Sequence, residues 1–273
     1  MSWRSRAKQI PGVMALRVYQ RRIALGLELA RPRRYLLVAS HMRSYSTLLG
    51  HIMASSDETA GYTEMRRSYR AEADLIALAM QVRASHGGRL PGGIVLDKIL
   101  HGGNHIGDEI LAMENVSVLI SARHPHATVR SIVALGRTVA PDNWMAQPAR
   151  AGQHFVNRMK QLGELVDRIE KPLVLAADSL VDDTDDTLTA LGKSLGLSTP
   201  LSSTYETNQY TGKAEYGDTS AYISSGHIER DRRTYSEIEI APEIDAQTLA
   251  AWHAFWAHVR NGRAQVIGHL PLS

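Results

Sequence analysis

The stretch Tyr35-Leu36-Leu37-Val38-Ala39-Ser40-His41-Met42-Arg43-Ser44-Tyr45-Ser46-Thr47-Leu48-Leu49 combines an apolar strand over 35–39, a polar turn over 40–45 and a helix start at 46–47. A strand that turns sharply into a helix leaves the first helical N–H groups without intrahelical acceptors. Here an arginine and hydroxyl side chains surround them, which makes the turn a cradle for a phosphate-like anion.

Downstream, the same alternation recurs. Residues 64–85 have helix composition, ending at His86-Gly87-Gly88, and a short apolar run over 93–96 precedes Asp97-Lys98. A strand is expected over 116–122 before Arg123-His124-Pro125, followed by a helix over 126–135. Phe155, Met159, Leu162, Val166 and Ile169 mark one face of a helix over about 149–170. A buried strand over 172–176 and a helix over 184–195 closed by Gly196 come next. Apolar strands separated by helices indicate βαβ units, so the expected fold is α/β, with a central parallel sheet flanked by helices. Ligands in such sheets sit beyond the carboxyl ends of the strands. Arg43, Lys98 and Arg123 all follow apolar runs and so lie where a ligand would. Periodicity fades over 198–242, read as an ordered lid, and resumes as a helix over 245–259. In that last helix Trp252, Phe255 and Trp256 are a core face, and Trp144 is a pocket-wall candidate.

The chain has 273 residues, 44% of them apolar, enough for a substantial core. It contains no cysteine, which excludes disulfides, thiolate nucleophiles and cysteine-ligated zinc. No apolar run approaches the roughly 18 to 20 residues of a membrane span, and a cytoplasmic location is expected. Residues 1–34 hold nine Lys/Arg against one acid, a charge of +8, leaving about −5 for the rest of a chain whose net charge is +3. This division gives a basic amphipathic N-terminal segment, 1–34, and a single domain, 35–273. The segment is read as a packed helix with a solvated basic face, or alternatively as a peripheral contact with an anionic membrane surface. No recognition-helix or ribonucleoprotein pattern indicates nucleic acid, and no histidine–acid set indicates metal.

The turn Met42-Arg43-Ser44-Tyr45-Ser46-Thr47 resembles the 5′-phosphosulfate loop of sulfotransferases that use 3′-phosphoadenosine 5′-phosphosulfate (PAPS), with Met42 for the usual proline and Tyr45 for the usual glycine. The strand over 116–122 with Arg123-His124-Pro125, and Ser131 in the following helix, resembles the family's 3′-phosphate element. Asp97-Lys98 resembles its strand-end pair, the segment 175–181 its strand and acidic turn, and Gly217-Asp218-Thr219 through Gly226-His227-Ile228 the nucleotide-covering loop of bacterial members. Membership implies a P-loop-like sulfotransferase fold and transfer of a sulfuryl group from PAPS to an acceptor hydroxyl, leaving adenosine 3′,5′-bisphosphate.

The resemblance implies that Arg43, Ser44, Tyr45, Ser46 and Thr47 hold the 5′-phosphosulfate, Arg123 and Ser131 the 3′-phosphate, and Lys98 the bridging oxygen. For the base, Glu64 ranks first, with a helix-terminal acid as its bland reading; His101 ranks second and His105 third. Tyr45 is expected to project toward the acceptor. A carbohydrate or glycolipid hydroxyl is the preferred acceptor, with a natural-product alcohol or phenol as the alternative. The competing functions are a phosphoryl-transfer kinase, disfavoured by the missing Walker lysine, and a non-catalytic polyanion- or membrane-binding module.

Overall fold

Strands buried on both faces cannot alternate polar with apolar residues, and the central strand of this sheet shows that rule directly. In β1 (Arg34–Ser40) every residue after Arg34 is buried. The computed structural model describes residues 33–62, 64–86, 90, 93–207, 211–212, 221–229 and 235–270. The chain divides into residues 1–33 and a unit of Arg34–Ser273, and the sheet and its flanking helices belong to the second unit. The segment expected to form a basic N-terminal helix, the 217–219 part of the C-terminal loop and the charged patch from Arg230 to Arg233 lie outside the described residues.

Six strands form one sheet in the order β2-β3-β1-β4-β5-β6. They are β1, β2 (Thr59–Ala60), β3 (Ile94–Ile99), β4 (Val116–Ala122), β5 (Leu173–Ala176) and β6 (Gln265–Ile267). Every pairing is parallel. Among the described residues the helices are α1 (Ser46–Ala54), α2 (Glu72–Ser85), α3 (Asp108–Leu111), α4 (Pro125–Val139), α5 (Pro148–Arg168), α6 (Ser179–Asp182), α7 (Thr184–Ser194), α8 (Ala221–Ser224) and α9 (Pro242–Asn261), with a 3-10 turn over Trp144–Ala146. The chain leaves β1 toward β2 and β3 on one side and then crosses to β4 on the other. The carboxyl ends of β3, β1 and β4 therefore meet at a topological switch point, where open α/β sheets bind ligands.

On one side of the sheet α5 buries Phe155, Met159, Leu162 and Val166. The face formed by Trp252, Phe255, Trp256 and Val259 on α9 is also buried, as core residues are. On the other side Leu48, Leu49, Ile52 and Met53 of α1 join Leu188 and Leu191 of α7 in one cluster with Leu36 and Val38. Tyr205 and Ile223 belong to the same cluster, so the described parts of the 198–242 stretch are packed on the core. Hydrogen bonds from Tyr205 N to Gly226 O (2.8 Å) and from Ile228 N to Ser203 O (2.9 Å) tie its two halves together. Among the described residues, no helix is long and apolar enough to cross a membrane.

Two expected boundaries are corrected. The helix expected from residue 64 begins at Glu72, and residues 64–68 and 70 lie outside any helix or strand, with Tyr69 bridging to Ile106. Asp97 is the cause: its carboxylate accepts Met65 N–H (2.9 Å) and Tyr69 O–H (2.5 Å), which draws the segment onto the end of β3. Asp74 then accepts the N–H groups of Arg70 and Ala71 at 2.8 and 3.2 Å and starts α2. Glu64 is thus not a helix-terminal acid. The run expected to stop at Leu96 continues to Ile99, placing Asp97 and Lys98 inside β3, both buried.

Candidate active site

Each switch-point strand delivers one basic side chain. After β1, Arg43 and Tyr45 adopt left-handed backbone angles, φ 60° and 59°. A non-glycine residue held there costs on the order of 1–3 kcal/mol, so neighbouring contacts must hold the turn. Those contacts come from β4's end: Arg123 donates to the Arg43 carbonyl (3.1 Å) and to the Tyr45 hydroxyl (2.8 Å). The Arg123 guanidinium also lies 3.9 Å over the Tyr45 ring. The Tyr45 side chain therefore turns toward Arg123. Arg43 Nε donates to Ser131 Oγ at 2.8 Å, so the turn and the α4 serine meet directly.

Asp178 anchors the β4 end, with Oδ1 3.4 Å from Arg123 Nε and Oδ2 accepting the His124 N–H at 2.9 Å. His41, which has no exposed surface, joins the two turns: its Nε2 accepts the Arg123 N–H at 2.9 Å, and Nδ1 lies 2.9 Å from the Met42 carbonyl. That pairing requires the proton on Nδ1, and burial pushes the ring's pKa down to about 3. Behind the turn, Ser40 Oγ lies 2.5 Å from Ser44 Oγ, and Ser44 Oγ donates to His41 O at 2.8 Å. Ser44 is thus buried in the turn's own hydrogen bonding. Ser46 and Thr47 open α1, whose N-cap, Tyr45, makes no side-chain capping hydrogen bond.

β3 contributes Lys98. Its ammonium is buried 5.1 Å over the Tyr62 ring, and burial lowers its pKa to about 8, against the nearby Glu64 and Asp97, which favour the charged form. Gly61 brings the chain to this point: it has φ 113°, and a Cβ there would stand 2.3 Å from the Leu96 carbonyl oxygen. Glu64 comes three residues later, its Oε1 buried without a hydrogen-bond partner and 3.4 Å from His101 Nε2. His105, by contrast, is exposed, its N–H bonded to Ser68 Oγ.

Sequence reasoning misses two residues that hold this arrangement. His41 lies in a turn that reads only as polar. Arg158 lies on the apolar stripe of α5, three residues after Phe155 and four before Leu162, a position where a charge is out of place. It is buried, donating from Nε to Ser40 O (2.8 Å) and from Nη2 to Ile99 O (2.6 Å), and so it fastens the ends of β1 and β3 together. Burial lowers its pKa to about 10. Arg158→Met is expected to lower the unfolding free energy by about 1–3 kcal/mol for each carbonyl left unpaired, measured by urea titration. Unchanged stability would show that water replaces the guanidinium.

The arrangement offers hydrogen-bond donors and cations at two strand ends, and a carboxylate beside a buried ammonium at a third. Among the described residues, no group of three histidines or acids could hold a metal ion.

The fold is that of sulfotransferase domains. The sulfotransferase domain of the Synechococcus PCC 7002 olefin synthase superposes with a TM-score of 0.52 at 18% identity, over 82% of this chain and 94% of that one. The sulfotransferase domain from the curacin biosynthetic pathway gives a TM-score of 0.49 at 16% identity, over 82% and 98% of the respective chains. No family model matches the chain. No curated protein matches it either.

Proposed function

We propose that the chain transfers a sulfuryl group from PAPS to an acceptor hydroxyl. One observation carries this reading: Arg43, beside the α1 N-terminus, donates to Ser131, and its carbonyl accepts from Arg123, so the candidate holders of two phosphate-type groups meet at adjacent strand ends. Two phosphate-type holders so close together suit a nucleotide bearing groups at both its 5′ and 3′ positions. The Lys98–Glu64 pair at the next strand end supplies the remaining chemistry. Arg43, Ser46 and Thr47, with the backbone N–H groups of Ser44 and Tyr45, form the cradle for the 5′-phosphosulfate, and Arg123 and Ser131 serve the 3′-phosphate.

The transfer forms a bond from the acceptor oxygen to sulfur and breaks the bond from sulfur to the phosphate oxygen. Glu64 takes the acceptor's proton, with His101 beside it to orient the carboxylate or share that role. Lys98 offsets the charge left on the departing phosphate oxygen. The test is incubation with sulfur-labelled PAPS and acceptor mixtures, read as label transferred and bisphosphate formed; failure to consume PAPS with any acceptor would contradict the reading.

A pH limb arises from Lys98. Because its pKa is lowered to about 8, the ammonium is present at neutral pH and lost as pH rises through that value. The turnover number is expected to fall roughly tenfold per pH unit above that point. Lys98→Arg, which stays charged, should show a lower rate without the alkaline limb. An identical limb in both proteins would assign it to another group.

A further inference from the structure

Beside Glu64 lies a cleft of about 380 Å³ lined by His101, Trp144, His154, Asn157, Arg158, Gln161 and two glycines. His101 joins it to the candidate base, its Nε2 lying 3.4 Å from Glu64 Oε1. We infer that this cleft is the acceptor subsite and takes a neutral, polyhydroxylated acceptor of sugar type, with a ring against Trp144 and hydroxyls on Gln161, Asn157 and His154. The inference rests on the sulfuryl-transfer reading for what happens to the acceptor, but not for what the cleft binds.

The lining argues for this class. Small-molecule pockets are usually dominated by apolar side chains, yet no Leu, Ile, Val, Met or Phe lines this one. An alkyl chain or a hydrophobic phenol would find little to bury against. Its size is at the low end for ligand pockets, enough for one or two sugar rings.

Both amides are held with their donors available. Gln161 Oε1 accepts from Arg158 Nη1 at 3.3 Å, and Asn157 Oδ1 accepts from Gln153 Nε2 at 2.9 Å. Each NH₂ group therefore remains to meet an oxygen-rich ligand. His154 Nε2 is buried without a hydrogen-bond partner, the kind of atom a ligand hydroxyl satisfies. Burial, with His101 and Arg158 nearby, lowers the pKa of His154 to about 4, so the ring is neutral and can accept as well as donate.

Arg158 does not by itself call for an anionic ligand: three of its five N–H groups, on Nε, Nη1 and Nη2, already donate to the protein oxygens of Ser40, Gln161 and Ile99. Trp144 supplies a fixed aromatic face. Its ring centroid is 4.4 Å from that of His154, at 37°. The turn that carries it is pressed onto α4 at Gly136, where a Cβ would stand 2.4 Å from Ala146 N. Asn143 Oδ1 accepts the Met145 N–H at 3.3 Å and closes that turn.

The test is saturation-transfer NMR on the full chain, with and without adenosine 3′,5′-bisphosphate, using methyl glucopyranoside, methyl galactopyranoside, lactose, 4-methylphenol and 1-octanol as probes. Pyranoside ring protons are expected to receive saturation, and the phenol and octanol are not. Trp144→Ala and Gln161→Glu should each weaken pyranoside binding about tenfold or more, on the scale of one lost hydrogen bond or stacking contact, with melting temperature and bisphosphate affinity unchanged. Gln161→Glu keeps an oxygen for Arg158, removes the amide donor and adds a negative charge beside the guanidinium. Binding of the phenol or octanol in place of the pyranosides, binding of no probe, or indifference of both variants would overturn the inference. Pyranoside binding without bisphosphate binding would uphold the cleft's ligand class and contradict the sulfuryl-transfer reading instead.

Discussion

Arg123→Ala is expected to weaken binding of adenosine 3′,5′-bisphosphate by about 10- to 150-fold, the equivalent of the roughly 1.5–3 kcal/mol of a charged hydrogen bond. Two effects add at this residue. The planar guanidinium is the group proposed to grip the 3′-phosphate, and it also supports the carbonyl of Arg43 and the hydroxyl of Tyr45. Removing it loosens the left-handed turn that presents Arg43. Loss of affinity should therefore extend to 5′-AMP, which has no 3′-phosphate, though by a smaller factor. Arg123→Lys keeps the charge but not the fork, and should recover only part of the affinity. Arg43→Ala should also cost tens-fold or more. Unchanged calorimetric affinities in both alanine variants would remove the basis for a nucleotide site here.

Glu64→Gln should reduce the turnover number by about 10²- to 10⁴-fold, the usual contribution of a positioned general base, while bisphosphate affinity stays within about twofold. The amide fills the same space, so the contact with His101 survives without a proton acceptor of useful basicity. His101→Gln should cost less, since it leaves the carboxylate in place near the Lys98 and Arg158 charges. Full activity in Glu64→Gln together with a large loss in His101→Gln would move the base to the histidine. Because the two side chains lie 3.4 Å apart, their effects should not add.

The parts of the fold that can be read from sequence are those where burial is simple. β1 and β4 are central strands, so 35–39 and 116–122 appear as continuous apolar runs. β3 reads too short because Asp97 and Lys98 look like turn residues, and only the tertiary structure shows that Asp97 is buried by its bonds to Met65 and Tyr69. The same bonds override helix composition over 64–71. β2 and β6, of two and three residues, are too short to show any period.

At the candidate site, Arg43, Lys98 and Arg123 are legible as basic residues at or just beyond the ends of apolar runs. Arg158 and His41 act by tying strand ends together across the chain, a role that local sequence does not encode. Tyr45 shows the same limit: its identity marks a departure from glycine, but its partner, 78 residues away, emerges only in the structure.

The most direct test of the central claim is a calorimetric titration of the full chain with adenosine 3′,5′-bisphosphate, with 5′-AMP and ATP as comparators. The expected result is saturable one-to-one binding of the bisphosphate, at least about tenfold tighter than 5′-AMP for the added charged hydrogen bonds, and tighter than ATP. Equal affinity for 5′-AMP and the bisphosphate, or binding of ATP alone, would contradict it.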